Sequence, residues 1–192
     1  MDAGKLNEKL SVLDISGGVW TPVRTTWGSA EQTDKKNLFS SVGIGARAVE
    51  FVGRRQAITL HNAICWRGQH CFLTSIIDEG KGHLKIAAAL IEPTMCSATR
   101  GVKTKNALNN PITVQEALCS FPACVTEKYM GFSVQQPQSQ VEETLVLVCP
   151  KFVMLKTGDL VTVGARGIYA VTIPHTLDNY KNEYEVVAIK EA

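Results

Sequence analysis

The sequence has no marked excess of either charge and no long apolar run. Of its 192 residues, 20 are Lys or Arg and 18 are Asp or Glu, so the formal net charge is only +2. This balance gives no general electrostatic reason to bind nucleic acid or membranes. The longest apolar segments, such as LKIAAALI, fall short of the roughly 20 residues that span a bilayer, and the amphipathic start MDAGKLNEKLSVLD is no signal peptide. We therefore expect a soluble protein made in a reducing cytoplasm.

Cysteine is too sparse for a disulfide scaffold, since a chain of this length contains only six. Two cysteines and two histidines nevertheless crowd around the segment AICWRGQHCFLTSI. In a strand, His61 and Cys65 would lie roughly 13 Å apart, and His70 and Cys71 would point to opposite faces. No pair has the spacing of a structural zinc site. The sequence therefore predicts a β-hairpin that turns at Arg67-Gly68, rather than a metal or redox site.

Signature motifs of catalysis are also missing. The segment GIGARA lacks the Lys-Ser/Thr of a P-loop, and neither a G-x-S-x-G elbow nor an H-E-x-x-H pair occurs. Cys119 and Cys124 enclose SFPA, a spacing that suits neither a redox C-x-x-C pair nor a zinc knuckle. His175 has no nucleophile close to it in the sequence. We therefore predict no enzymatic activity, no catalytic residue, no metal and no cofactor.

The dominant pattern is an alternation of apolar and polar residues. KLSVLDI, VEFVGRRQ, QHCFLTSII and HLKIAAALI have this strand pattern, and SGG, RG and DEGKG supply turns between them. Short strands at such regular spacing predict an all-β barrel or sandwich. From Cys124 onward, LVLV, GDLVTV, IYAVTI and EYEVVAIKE repeat the pattern.

The intervening segment, 94–123, has a different character. TMCSATRGVKTKNALNNP is polar and without periodicity, whereas Thr113 and Glu116 have the spacing of a capping box between Pro111 and Pro122. We therefore predict a connection that contains one short helix.

The two β-rich parts share a weak internal similarity. WRGQHCFLTSI places Phe72 four residues before Ile76, and VGARGIYAVTI places Tyr169 four residues before Ile173, each after a glycine turn. A polar turn and a final alternating strand follow in both. Two interpretations stay open: a duplicated unit, or two hairpins that converged on one pattern.

Positive charge occurs in small patches at Lys35-Lys36, at Arg54-Arg55 and along Arg100, Lys103 and Lys105. Such clusters are usually solvated, although in a ring they could contact a phosphate backbone or an acidic partner. A nucleic-acid-binding module should interleave aromatic and basic residues on one sheet face. The aromatic residues here lie among apolar ones, which argues against that class.

The order and spacing of the N-terminal segments resemble the head–tail joining (head-closure, or stopper) connector proteins of long-tailed bacteriophages, over about half of the chain. The resemblance rests on GKLNEKLSVLD, VWTPVRTTWGSAEQ, a variable loop, VEFVGRRQAITLHNAICWRGQHCFLTSI and GHLKIAAALIEP. Gly28 stands where the family has alanine, and tyrosine is common at two of the aromatic positions. The residues that match the family pattern are Trp27, Arg54, Ile64, Trp66, Gly68, Phe72 and Ile76.

The resemblance implies a small β-barrel that assembles into a six- or twelve-fold ring beneath a portal or adaptor protein. Such a ring closes the channel for packaged DNA, without sequence-specific binding, and offers a docking surface to a tail terminator or tail tube protein. The loop after the second strand, Thr33 to Ala46, would be the gate, because its glycines permit refolding. The candidate gating residues are Thr33, Asp34, Lys35, Lys36, Asn37, Leu38, Phe39, Gly43 and Gly45.

The sequence thus predicts a mainly β protein with a head-closure-type barrel at 1–93, a connection with one short helix at 94–123 and a second β-rich module at 124–192. Its expected role is that of a structural neck protein in the virion of a tailed phage or phage-like particle, made in the host bacterial cytoplasm. Two alternatives remain. One is a tail terminator or other tail-completion protein, and the other is a β-barrel module that binds peptide or nucleic acid.

Overall fold

The computed structural model describes residues 6–37, 39–40, 42–43, 45–128 and 144–189, without the side chains of 34–37. Within these residues the chain forms twelve β-strands and no helix, which confirms the prediction of a mainly β protein. No helix that could cross a membrane is present in the described part. The chain divides into two compact units, Met1–Pro93 and Thr94–Ala192.

The six strands of the first unit close into a barrel. Its strands are β1 (Glu8–Ser16), β2 (Val19–Asn37), β3 (Ala46–Arg54), β4 (Ala63–Trp66), β5 (Gln69–Gly80) and β6 (His83–Ile91), in the spatial order β1-β2-β3-β6-β5-β4. An antiparallel ladder from Leu10–Trp66 to Leu13–Ala63 joins β1 to β4 and closes the barrel. Alternate residues point inward, and the core includes Leu10, Val12, Val49, Phe51, Ile64, Leu73 and Ile86.

Pro22 lies within β2, although a proline removes one hydrogen bond from a ladder. The register between β1 and β2 shifts after Val12, and Pro22 pairs with Leu13 directly beyond that shift. The extra residue of this bulge is Val23, between Pro22 and Arg24. The ladder is locally disrupted at a bulge, so the missing N–H of the adjacent Pro22 is tolerated even though the closed barrel has no free edge.

The second unit also closes into a six-stranded barrel. Its strands are β7 (Pro93–Lys105), β8 (Pro111–Glu127), β9 (Thr144–Pro150), β10 (Leu160–Val163), β11 (Ile168–His175) and β12 (Lys181–Ala188), in the order β10-β11-β12-β9-β8-β7. An antiparallel ladder from Leu160–Thr99 to Val163–Cys96 joins β10 to β7. The core includes Phe121, Leu147, Cys149, Val161, Tyr169, Tyr184 and Val186.

Both barrels have the same strand topology. Counted from the first strand of each unit, the spatial order is first, second, third, sixth, fifth, fourth in both. The two similar sequence segments form corresponding hairpins, β4–β5 and β10–β11, and their aromatic residues Phe72 and Tyr169 are both buried. The shared topology favours a duplicated unit over convergence of two hairpins.

The short helix predicted near Thr113 and Glu116 is wrong, because this segment is part of strand β8. Residues 94–123 do not form a separate connection; they supply β7 and most of β8 to the second barrel. Beyond the barrel these two strands continue as an exposed hairpin, residues 101–118, which we call the arm. The spacing of a capping box is a purely local signal, and pairing between strands overrides it.

Candidate functional site

The hairpin predicted around Arg67-Gly68 is confirmed. Strands β4 and β5 pair from Ala63–Phe72 to Trp66–Gln69. The two turn residues have φ values of 51° and 77°, and positive φ at both central positions is what a two-residue type I′ turn requires. Gly68 therefore has a conformational reason to be glycine.

Trp66 is a buried anchor beneath this turn. Its ring is 5.8 Å from that of Phe51 in an edge-on arrangement, and its Nε1 donates a hydrogen bond of 2.9 Å to Oε2 of Glu8. Arg67 stacks over the Trp66 ring at 4.8 Å and donates to the same carboxylate through Nε (3.2 Å) and Nη2 (2.5 Å). The hydrogen bonds from Arg67 and then Trp66 lower the pKa of Glu8. These contacts tie the start of β1 to the hairpin.

The predicted loop at Thr33–Ala46 is shorter than expected, because strand β2 continues to Asn37. Thr33 pairs with Ala48 of β3, and Asn37 pairs with Ala46, with a register shift between the two pairs. The candidate residues from Thr33 to Asn37 thus belong to strand β2, and only residues 38–45 remain between β2 and β3. Leu38 lies outside the described residues.

The described part of this loop packs on the barrel. Phe39 is 3% exposed, and its ring centroid lies 6.1 Å from that of Phe72, the buried aromatic residue of β5. Ser40 is also buried, and its Oγ accepts hydrogen bonds from two loop amides, the shorter of 2.7 Å from Gly43. Gly43 is buried and Gly45 half-buried. Any opening of this loop must therefore begin with the release of Phe39 and Ser40.

Trp27 lies on the outer face of β2 and is 56% exposed. It pairs with Lys9 on β1. Arg54 is its neighbour on the other side, since it follows the Gly28–Gly53 pair between β2 and β3. Both cations are exposed, and neither forms an ion pair with a residue that the structure describes. An exposed aromatic ring thus stands between two exposed positive charges.

One further exposed apolar residue of β2 lies close to Trp27. Val23, the extra residue of the bulge between Pro22 and Arg24, is 56% exposed. Val19 is also exposed, but it pairs with Ser16, which is an odd number of residues from Lys9, so the bulge places Val19 on the face opposite to Trp27. Exposed large apolar groups beside one another are typical of interaction sites. We call this the β2 surface, which consists of Lys9, Val23, Trp27 and Arg54.

Gly28 departs from the alanine of the resembled family for a steric reason. A Cβ atom at this position would lie 2.8 Å from Cδ1 of Leu10 and 2.9 Å from the carbonyl oxygen of Val52. Leu10 is buried in the barrel core, and the Val52 carbonyl is backbone, so neither atom can move away easily. In this barrel the position next to Trp27 has room only for glycine.

The cysteines and histidines of the hairpin region do not come together as ligands. His61 is exposed and Cys65 is half-buried, whereas burial lowers the pKa of His70 to about 4 and raises the pKa of Cys71 to about 12. Among the described residues, no group of three or more His, Cys, Asp or Glu side chains could hold a metal ion. His70 and Cys71 are therefore neutral at neutral pH and contribute to the packing of the first barrel.

The cysteines of β8 have the same character. Burial raises the pKa of Cys119 and raises that of Cys124 further. Since the thiolate is the reactive form, these thiols are poor nucleophiles at neutral pH.

The arm is a surface that the sequence prediction missed. Leu108 at its tip is 80% exposed, and Ile112, Val114 and Leu118 are 38–44% exposed. Ile112, Val114 and Leu118 stand at even spacings, but the charged Glu116 interrupts the apolar alternation, so the strand signal in the sequence is weak.

No protein-family model, no curated protein and no solved structure matches this chain.

Proposed function

We propose that this chain is a structural neck protein of a tailed phage or phage-like particle. It forms a ring between the portal or adaptor and the tail, closes the DNA channel and provides the tail docking surface. The supporting observation is that the family-pattern residues follow successive strands of one closed barrel. Trp27 lies on β2, Arg54 ends β3, and Trp66, Gly68 and Phe72 form the β4–β5 hairpin.

The exposed apolar surfaces agree with a protein that works in an assembly. Monomeric proteins rarely leave large aromatic and aliphatic side chains exposed in rows, and aromatic residues are enriched where proteins meet. Trp27 on the first barrel and Leu108 on the arm are both more than half exposed. In a ring such side chains would be covered by neighbouring subunits or by the tail.

In this proposal the loop at 38–45 is the gate. Its closed position is held by Phe39 against Phe72 and by the hydrogen bonds to Ser40. Exposing a buried phenylalanine costs about 1.5–3 kcal/mol, a cost that a docking tail or moving DNA can supply. In this proposal the gate is thus a loop with a closed and an open conformation, and the partner that contacts the ring shifts the equilibrium between the two.

The first test is to stop translation of this gene in a strain that produces the particle, and to image the lysate by electron microscopy. Finished tails separate from tailless heads, many of them emptied of DNA, would support the proposal. DNA-filled heads beside tails of abnormal length would indicate a tail terminator instead. Normal infectious particles would refute both roles, and the wild-type gene supplied in trans is the control for polar effects.

Complementation with point variants then tests the gate. We expect Phe39→Ala to allow tail joining but to leave heads that lose DNA before tails attach, because the closed loop has lost its anchor. Phe152→Ala is the matched control, since Phe152 is 50% exposed and its loss removes no core contact. DNA retention equal to wild type in Phe39→Ala particles would rule out this loop as the gate. DNA retained per head can be measured by gel electrophoresis of purified heads.

A further inference from the structure

The arm is a two-stranded ribbon with one apolar face. A Cβ atom at Gly101 would lie 3.0 Å from Cγ2 of Thr113, so these two residues share a face. Because successive residues of a strand alternate in direction, Val102, Ile112 and Val114 lie on the opposite face. A two-stranded ribbon is only marginally stable in water on its own. The apolar face is therefore expected to pack against a partner.

The arm's apolar face also carries one acidic residue. By the same alternation Glu116 lies on the face of Ile112 and Val114, and it is exposed. Glu116 forms no ion pair with any described residue. The partner that covers this face should therefore combine apolar side chains with a positive charge.

The β2 surface of the first barrel has this combination. Its apolar residues Val23 and Trp27 are each 56% exposed, and the cations Lys9 and Arg54 flank the tryptophan without ion pairs of their own to described residues. Apolar β faces pack together at about 10 Å, and opposite charges at the rim fix the register of such a contact. The two surfaces are complementary in both respects.

We propose that the apolar face of the arm of one copy docks on the β2 surface of a second copy, with Glu116 between Lys9 and Arg54. Two different surfaces meet, so the contact is heterologous and repeats from copy to copy until a ring closes or a filament grows. The expectation of a closed ring rests on the proposed function, whereas the contact itself does not. Nucleic acid on the β2 surface is the less favoured alternative, because the apolar face of the arm would then have no partner.

The size of the contact predicts reversible association. Only about half of the arm residues point to the apolar face, so the contact buries a small area. Protein interfaces of small area are weak and transient. Purified full-length protein should therefore associate in a concentration-dependent manner, measured by sedimentation velocity at low salt. Wild-type protein that stays monomeric at every concentration would overturn the proposal. A monomer whose tryptophan fluorescence is quenched by a single-stranded oligonucleotide would overturn it in favour of a nucleic-acid site.

Two neighbouring residues of β8 give a matched pair of variants. We expect Val114→Asp, on the apolar face, to weaken association at least about tenfold, because it buries a charge in the contact. Thr113→Asp, on the opposite face, should leave association within about twofold of wild type. Equal losses in the two variants would refute the assignment of the face. Unchanged thermal transitions in both variants show that the barrels stay folded.

Charge exchange between molecules tests the partner directly. Glu116→Lys alone, and Lys9→Glu with Arg54→Glu, should each weaken self-association by about tenfold through like-charge contacts. An equimolar mixture of the two proteins should recover wild-type association, because each arm then meets a surface of opposite charge. A mixture as weak as its components would overturn the proposal. Normal particles in the translation test would refute the neck role and leave these solution results unaffected.

Discussion

The ion pair between Arg100 and Asp159 offers a quantitative test of what holds the second barrel together. Asp159 is 2% exposed, and its carboxylate accepts hydrogen bonds from Nε (2.7 Å) and Nη2 (2.6 Å) of Arg100 and from the amide of Lys156 (2.7 Å). Arg100→Ala would leave the buried Asp159 carboxylate with only one of these three hydrogen bonds, the one from the Lys156 amide. Breaking a buried pair costs about 3–5 kcal/mol. Since the Arg100 side chain is 29% exposed and water weakens an ion pair, we expect Arg100→Ala to lower the free energy of unfolding by about 2–3 kcal/mol.

Calorimetry of the full chain is the assay for this loss. For a unit of about 100 residues, 1 kcal/mol corresponds to a Tm shift of about 4–8 °C, so the transition of the second barrel should fall by about 10–20 °C. Arg67→Ala is the matched control in the first barrel, because Arg67 also pairs with a carboxylate through two nitrogen atoms but is 65% exposed. Exposed pairs contribute less than about 1 kcal/mol. Equal shifts in the two variants would refute the role given to burial.

The same variant should have a distinctive pH dependence. Burial raises the pKa of Asp159, but the hydrogen bonds from Arg100 and the Lys156 amide lower it by more, so the net direction is down. In the wild type this pair therefore stabilises the fold above the unfolded pKa of about 3.9 and ceases to do so as pH falls through the folded pKa. In Arg100→Ala burial still raises the pKa of Asp159, but the hydrogen bonds from Arg100 that lower this pKa are lost. The Asp159 carboxyl of the folded variant therefore takes up a proton more readily than that of the folded wild type. The stability difference should shrink from pH 7 to pH 4, and a constant difference would contradict this reasoning.

Three further predictions concern the first barrel and the buried thiols. Gly28→Ala should destabilise the first barrel by about 1–3 kcal/mol in denaturant melts, because its Cβ overlaps Leu10; an unchanged midpoint would refute the steric account. Burial lowers the pKa of His70 to about 4, so the unfolded chain takes up a proton at His70 between pH 7 and pH 4.5 while the folded barrel does not. The free energy of unfolding of the first barrel should therefore fall by about 2 kcal/mol over this range, and His70→Phe should abolish this loss. Burial raises the pKa of Cys71 to about 12 and of Cys96 to about 11, so both thiols should resist a thiol-specific disulfide reagent at pH 8 until denaturant is added. Rapid labelling of either cysteine in the native protein, identified by mass spectrometry, would contradict their burial.

The hairpin of the first barrel could be predicted from the sequence because its signals are local. Two residues with turn propensity at Arg67-Gly68, between two alternating runs, specify both the turn and the register of the flanking strands. The strand spacing expected between His61 and Cys65 does not apply, because β4 begins at Ala63 and His61 lies in the turn before it.

The arm could not be predicted in the same way, because both of its faces are exposed. Secondary structure is recognised mainly through the burial of one face, and most residues between Gly101 and Leu118 are exposed. With the burial pattern missing, the Thr113–Glu116 capping box was the strongest local signal, and it indicated the wrong element. Pairing with β7 decides the conformation, and the capping-box residues, which all lie within β8, carry no information about that pairing.

The β2 surface was beyond sequence prediction for a related reason. Lys9, Trp27 and Arg54 belong to three different strands and are far apart in the chain. Only the register of the β1–β2 and β2–β3 ladders brings them side by side. A search for aromatic and basic residues close in sequence therefore finds the pair Trp66-Arg67 at a turn, whose ring is buried, and overlooks Trp27.

The repeated barrel topology means that each chain contains two non-identical versions of every structural position. The β1–β2 hairpin turns within two residues at Gly17-Gly18, whereas the corresponding β7–β8 hairpin carries the arm. The loop between the first and second strands is therefore a tight turn in one barrel and a long exposed hairpin in the other, so a single topology presents two different surfaces within one chain.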